Sequence, residues 1–314
     1  MKIFITGGAG CLGSNIINFL LNKRKYSILS IDNYETSTSD NLPENSNLKI
    51  VEDTISNYKV VNSIFEDFKP NILIHCAVSY KDPFAYFKDI EVNVNSTINL
   101  IENCKKYKID KFINFQTSLC YGNPYVLPIP EEHYLNPRSS YGISKAAGEL
   151  YLANSDINYI SLRLASVLAP NMTVGAIPTF FKRLSEGKEC FCSKAKRDFI
   201  GINDFLTLID LIINNNIPKG IYNISSGIGV SMKEIHDQIA EILGIQLNKN
   251  VKIVDVGADD VETIVLDPSK AKNVFNWSTK SSFNDDLKEL INSYKKSGLN
   301  QIYSHVKKQI LEDD

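Results

Sequence analysis

The chain has 314 residues, enough for one large domain or two coupled ones around a sizeable core. Hydrophobic residues make up 43% and charged residues 22%, an ordinary globular mix that sets aside a fibrous or disordered chain. Lys plus Arg total 34 against 36 for Asp plus Glu, so neither a nucleic-acid backbone nor a basic partner is called for, and small-molecule work is favoured.

In chain order, Lys2 to Thr6 reads as a strand and Leu12 to Leu21 as a helix. Strands follow at Ser27 to Ile31, Leu48 to Val51, Ile72 to His75 and Phe112 to Phe115. Helical patterns lie between them, best seen from Ile90 to Cys104, where Val92, Ile98, Leu100 and Ile101 share roughly one face. The strands are apolar with little alternation, as expected of a parallel sheet covered by helices on both faces. After Leu150 the rhythm loosens: a strand from Tyr159 to Ala165, then helices at Ile202 to Ile213, Ser231 to Leu243 and Phe283 to Ser293. The expected architecture is α/β, a Rossmann-type doubly wound parallel sheet with a smaller C-terminal α/β lobe. We divide it into a dinucleotide-binding domain over 1–165 and a mainly substrate-binding lobe over 166–314, with some chain crossing back.

The N-terminal apolar run is too short for a signal peptide, and later apolar stretches break well before 18 residues, so no membrane partner is expected. Six cysteines are scattered (Cys11, Cys76, Cys104, Cys120, Cys190, Cys192), and His75, His133, His236 and His305 do not cluster with them. Cys190-x-Cys192 lacks a second ligand pair, so the expectation is reduced thiols, a cytoplasmic protein and no metal.

Thr6-Gly7-Gly8-Ala9-Gly10-Cys11-Leu12-Gly13 joins the first strand to the first helix, with Gly7, Gly10 and Gly13 three apart. Glycines there let backbone N–H groups and a helix N-terminus approach a pyrophosphate. A glycine trio alone is a weak signal; its place between strand and helix at the start of the chain makes it a dinucleotide signal. Asp32, nineteen residues past Gly13, ends the second strand, where a carboxylate accepts from both ribose hydroxyls and repels a 2′-phosphate. No Arg or Lys immediately follows it, so NAD is favoured over NADP. Asp53 after the third strand is a candidate for the adenine amino group, or a turn cap.

Tyr141 and Lys145 form a Tyr-x-x-x-Lys on one helix face, where an ammonium can lower the phenol pKa and hold a ribose. The spacing recurs at Tyr107/Lys111 and Tyr303/Lys307, so spacing alone decides nothing. Tyr141 stands out because it follows the loop after the fifth strand, where α/β crevices open. That strand ends in Thr117-Ser118, and a hydroxyl there can bond a reacting oxygen and share a proton with Tyr141. Tyr80 and Lys81 are further candidates to face a substrate, a surface lysine being the plainer reading of Lys81.

Together these residues resemble the extended short-chain dehydrogenase/reductase family, the NAD-dependent nucleotide-sugar epimerases and dehydratases, over nearly the whole chain. The resemblance is carried by Thr6 to Gly13, Asp32-Asn33, His75-Cys76-Ala77, Asn93 to Thr97, Thr117 to Gly122 and Tyr141 to Lys145. Arg163-Leu164, Arg197-Asp198-Phe199 and Asp267 to Lys270 extend it to segments that such families use around substrate or at the C-terminal lobe. Segments Phe115 to Gly122, Gly187 to Phe199 and Gly257 to Lys270 are most similar to UDP-sugar epimerases of bacterial O-antigen clusters. The resemblance implies catalytic Thr117, Tyr141 and Lys145. It implies NAD contacts at Gly7, Gly10, Cys11, Leu12, Gly13, Asp32, Asn33, Asp53, Thr54, Ala77, Tyr141 and Lys145. Substrate contacts follow at Ser118, Ser166, Arg197 and Asp259, with Arg197 facing the diphosphate. It also implies a homodimer, for which Ile90 to Cys104 and Pro137 to Leu152 can supply the helices, although either can equally cover the sheet. The chain departs from the family at Ser166 and Ala169, where Asn and Gly are common, and lacks an arginine often found before Gly257-Ala258-Asp259-Asp260.

Related dehydratases carry two acids after the catalytic threonine; here they are Ser118 and Leu119, and a leucine transfers no proton. The expected reaction is therefore epimerisation, at C4 through a transient 4-keto sugar, in cell-surface polysaccharide synthesis. The alternatives are a nucleotide-sugar dehydratase, 4-dehydrogenase or reductase on the same fold, and a non-catalytic redox sensor, which commonly lacks the Tyr/Lys pair.

Overall fold

Short apolar runs at the start of the chain become strands buried on both faces. In the computed structural model, which describes residues 1–80, 82–247, 249–299 and 301–303, the strands are β1 (Lys2–Thr6), β2 (Ser27–Asp32), β3 (Leu48–Glu52), β4 (Ile72–His75), β5 (Lys111–Thr117), β6 (Tyr159–Leu164), β7 (Ser166–Leu168), β8 (Phe191–Ser193), β9 (Lys196–Gly201), β10 (Gly220–Ile224), β11 (Gly229–Ser231), β12 (Lys252–Val254) and β13 (Thr263–Ile264). The helices are α1 (Cys11–Asn22), α2 (Tyr58–Phe68), α3 (Tyr86–Asp89), α4 (Ser96–Tyr107), α5 (Ser140–Ala153), α6 (Ala176–Ser185), α7 (Ile202–Asn214), α8 (Met232–Leu243), α9 (Ser269–Phe275) and α10 (Phe283–Ser297).

Seven strands form one parallel sheet in the order β10-β6-β5-β4-β1-β2-β3. Alternate side chains feed opposite faces. Ile3, Ile5, Ile72, Ile74, Ile113 and Ile160 pack with α1, α7 and α9, while Phe4, Leu73, Phe112 and Tyr159 pack with α2, α4 and α5. Each such fully buried side chain contributes about 1.5–3 kcal/mol relative to exposure, which is why the doubly wound arrangement expected of the sequence is the one found.

The chain after β6 builds a second, smaller layer. β9 pairs with β7, β11 and β13, β12 pairs with β8, and α6, α8 and α10 close over Leu168, Phe199 and Cys192. α8 opens on a reciprocal cap between Ser231 and Glu234. β10 lies in the large sheet although in sequence it falls between β9 and β11 of this layer, so the two layers interleave.

One element differs from expectation. Ile90 to Cys104 is not a single α-helix: Ile90–Asn95 is a π-helical turn leading into α4. A Cβ on Gly148 of α5 would lie 2.6 Å from the Asn93 carbonyl oxygen, so α5 presses directly on the widened turn. Periodicity reports which face is apolar and is nearly blind to one residue of extra pitch.

Candidate active site

The sheet register brings the C-terminal ends of its strands to one edge: Thr6 stands beside Ile31 and His75, His75 beside Asn114, and Thr117 beside Leu164. The connections leave in opposite directions on either side of β1 and β4, which is where such sheets open a crevice. A cavity of 1310 Å³ lies there, walled on the far side by the small layer.

Its floor is the glycine turn. Gly7 has φ of +66°, and a Cβ on it would sit 2.7 Å from the Ala77 backbone; only glycine holds that geometry. A Cβ on Gly13 would meet the Gly7 carbonyl oxygen at 2.2 Å, so the turn is kept free of side chains. α1 starts at Cys11 without a side-chain cap on Gly10, leaving its first-turn amides for a ligand. Asp32, largely buried, accepts from the Ala9 amide at 2.9 Å, the Tyr34 amide at 2.9 Å and the Ser37 hydroxyl at 3.0 Å. That leaves acceptor capacity on a fixed carboxylate at the cavity wall. Asp53 also borders the cavity, and its oxygens accept from the Thr54 amide at 2.7 Å and Asn57 Nδ2 at 2.9 Å, so the turn-capping role is present beside any role toward adenine. A bare glycine cradle, a helix N-terminus and an anchored acid together fit a dinucleotide without a 2′-phosphate.

At the other end stand Thr117, Tyr141 and Lys145. Ser139 caps α5 by accepting from the Gly142 amide, which places Tyr141 in the first turn and Lys145 one turn on. Thr117 accepts from the Leu119 amide at 3.1 Å, and its hydroxyl hydrogen-bonds the Tyr141 phenol. Burial pushes the phenol pKa up, against the pull of Thr117. Both groups lose water here, and burial is the largest influence on the phenol. Burial lowers Lys145 to about 8, with Glu149 and Cys76 opposing it.

Gly10, Cys11, Leu12, Asn33, Thr54, Ala77, Ser118, Ser166, Arg197 and Asp259 also border the cavity. Arg197 is held by Asp260 Oδ1 at 2.6 Å. Arg163 is not on this wall; it is buried against Glu149 at 2.6 Å, and it also donates to the Tyr121 hydroxyl. Tyr80 reaches Thr36 Oγ1 at 3.4 Å on the cofactor side. Of the other Tyr-x-x-x-Lys pairs, Tyr107 stacks on Phe65 and Lys111 caps the last carbonyls of α7, from Ile212 at 2.5 Å. Lys81 and Lys307 lie outside the described residues.

Several residues that hold the site have no role assigned by the sequence patterns. The Gln116 side chain donates to the Lys145 carbonyl and accepts from the Thr117 amide, both at 2.7 Å, tying the strand end to the helix. Asp89 accepts from Ser79 at 2.7 Å and Ser140 at 2.6 Å, and Asn93 bonds Ser79 on both sides and Ser144 at 3.0 Å. Thr97 donates to the Asn93 carbonyl and so accepts from His75 Nε2–H, leaving Nδ1 to accept from the Thr6 hydroxyl, which itself accepts from the Ala77 amide. That order needs a neutral imidazole, and burial with the charge of Lys145 lowers the His75 pKa accordingly. A polar residue ahead of a helix, such as Asn93, was the available signal; its partners were not.

Comparison with known proteins agrees with this geometry. The sequence profile of the NAD dependent epimerase/dehydratase family matches residues 3–225. WbmG of Bordetella bronchiseptica, solved in complex with NAD, is 42% identical with a TM-score of 0.91 over 98% of each chain. The UDP-glucose 4-epimerase of Thermotoga maritima, solved with UDP-glucose, is 27% identical with a TM-score of 0.86, covering 95% of this chain and 99% of that one. A putative UDP-glucose 4-epimerase of Methanocaldococcus jannaschii is 29% identical over 311 residues, 92% of this chain and 97% of its own.

Proposed function

Because the chain belongs to the NAD dependent epimerase/dehydratase family and NAD is its cofactor, we propose that it epimerises a UDP-linked sugar at C4 through a transient 4-keto sugar. WbmG has also been solved with NAD and UDP together, and several relatives are named UDP-glucose 4-epimerases, which supports the nucleotide and the carbon. A relative in Haloferax volcanii named as a glycan biosynthesis protein supports a role in surface polysaccharide assembly. In this reading residues 1–165 hold the cofactor, and 166–314 mainly hold the substrate.

Gly7, Gly10, Cys11, Leu12 and Gly13 take the pyrophosphate, Asp32 and Asn33 the adenosine ribose, Asp53 and Thr54 the adenine side, and Ala77 the cofactor's far half. NAD, when bound, supplies reversible oxidation of the alcohol carbon and a positive ring charge in the chamber. Tyr141 takes the proton of the sugar hydroxyl and returns it. Thr117 holds the reacting oxygen and relays the phenol's hydrogen bond. Lys145 bonds the ribose and adds positive charge beside the phenol. Ser118 and Ser166 line the sugar, and Arg197 with Asp259 takes the nucleotide end.

The observation that carries epimerisation over water loss is Leu119. It borders the cavity beside Thr117 and can neither accept nor donate a proton, and Ser118 next to it is no carboxylic acid. We further place the enzyme in the cytoplasm as a homodimer. Exposed Ile143, Leu150 and Tyr151 on α5, beside Phe87 and Ile90, offer an apolar face for a second copy.

The test is NMR of UDP-sugars incubated with purified protein and no added reductant. Interconversion of C4 epimers without absorbance change at 340 nm is expected, and Tyr141→Phe lowers turnover by about 10²–10⁴-fold while NAD stays bound. A stoichiometric change at 340 nm would mark a net oxidoreductase, a dehydrated sugar would mark a dehydratase, and wild-type rates in Tyr141→Phe would remove the phenol from the reaction.

A further inference from the structure

The order β4-β1-β2 sets the glycine turn, which follows β1, between the loops that follow β2 and β4. Those two flanking loops are fastened to each other. Tyr80, in the segment after β4, donates to Thr36 Oγ1 in the segment after β2 at 3.4 Å. Lys88 of α3 meets both carboxylate oxygens of Glu35 in the same β2 loop, at 2.5 Å. The small layer joins the junction: Tyr80 also hydrogen-bonds Thr173, and the Tyr303 amide donates to the Thr173 carbonyl at 2.9 Å. From the floor, the Cys11 thiol and Asn15 amide donate to the Pro170 carbonyl at 3.6 and 2.9 Å. Glu35, Thr36, Tyr80, Lys88 and Tyr303 all border the cavity that the glycines line.

We infer that the Tyr80–Thr36 bond and the Glu35–Lys88 ion pair form a latch that retains NAD between turnovers. A dinucleotide lying on the glycine turn has one flanking loop on each side, and these two fastenings hold those loops together across it. Release requires both to open; catalysis requires neither to open, because an epimerase recovers its cofactor in place. The inference thus rests on the epimerase reading, which makes retention useful. The two fastenings differ in kind. The phenol is mostly shielded, while the ion-pair side chains are 44% and 31% exposed, so salt screens the pair and leaves the Tyr80 bond.

The experiment loads the full-length protein with NAD, adds excess isotope-labelled NAD, and follows exchange by mass spectrometry of the bound cofactor. Tyr80→Phe and Glu35→Gln each speed release several-fold, and the double variant speeds it about tenfold or more. Added salt accelerates exchange in wild type and in Tyr80→Phe but not in Glu35→Gln. The charge swap Glu35→Lys with Lys88→Glu restores slow exchange, which a purely structural role would not do. If Tyr80→Phe loses its circular-dichroism signature, Thr36→Val removes the same bond from the other side and gives the same acceleration. Wild-type exchange in the folded double variant overturns the latch, and a swap that stays fast overturns its ionic half. A wild-type protein that neither holds nor takes up NAD overturns the cofactor cleft itself, an outcome separate from unchanged exchange in variants that bind. C4 interconversion failing in a protein that holds NAD overturns the epimerase reading alone.

Discussion

Replacing Lys145 with methionine is expected to stabilise the cofactor-free protein at neutral pH and to flatten its response to alkali. The lysine is buried, and its pKa falls from an ordinary 10.5 to about 8, burial being the largest cause. A folded pKa below the unfolded one means that the unfolded chain holds the proton more tightly between those values. Stability is therefore fully present above 10.5 and is lost as pH falls through 8. At 1.36 kcal/mol per decade the full effect is about 3 kcal/mol, most of it recovered between pH 7 and pH 10. Methionine keeps the aliphatic stem and drops the charge, so the variant lacks this slope. Urea unfolding of both proteins at pH 7 and pH 10 measures it, the variant's advantage shrinking by about 2–3 kcal/mol over the range. A gap between the proteins that is equal at the two pH values would refute the claim that burial sets this lysine's charge.

Two further outcomes follow from the same geometry. Gly148→Ala drives a methyl to within 2.6 Å of the Asn93 carbonyl oxygen; it should destabilise the fold by about 2–3 kcal/mol, and an unchanged melting temperature would show that α5 can shift off the π-turn freely. Asp32→Asn keeps the shape but removes the charge, so NAD affinity should fall about tenfold or more while discrimination against NADP is lost; calorimetric titration reads both, and an unaltered NAD-to-NADP ratio would place the ribose elsewhere.

Much of the site was legible because its signals are local. The glycine turn, Asp32 at a strand end, Thr117 at another, and Tyr141 with Lys145 one helical turn apart each depend on near neighbours in the chain. What escaped depends on distant ones. His75 bonds Thr6 across 69 residues and Thr97 across 22, and Asp89 bonds Ser140 across 51. No spacing rule connects such pairs. Arg163 is a further case, a residue quoted for the resemblance whose buried ion pair with Glu149 no local pattern announces.

From residue types and spacing alone came the strand–helix alternation, the dinucleotide turn, the preference for an unphosphorylated ribose, and the lack of a proton-transferring side chain at 119. These are properties of single segments, set by backbone sterics and side-chain chemistry. Only the tertiary structure decided that β10 returns to the large sheet, that α5 packs against a π-turn at Asn93, and that burial is the largest influence on the Tyr141 phenol. Those outcomes arise from desolvation and close packing between segments far apart in the chain, forces that exist only once the segments meet.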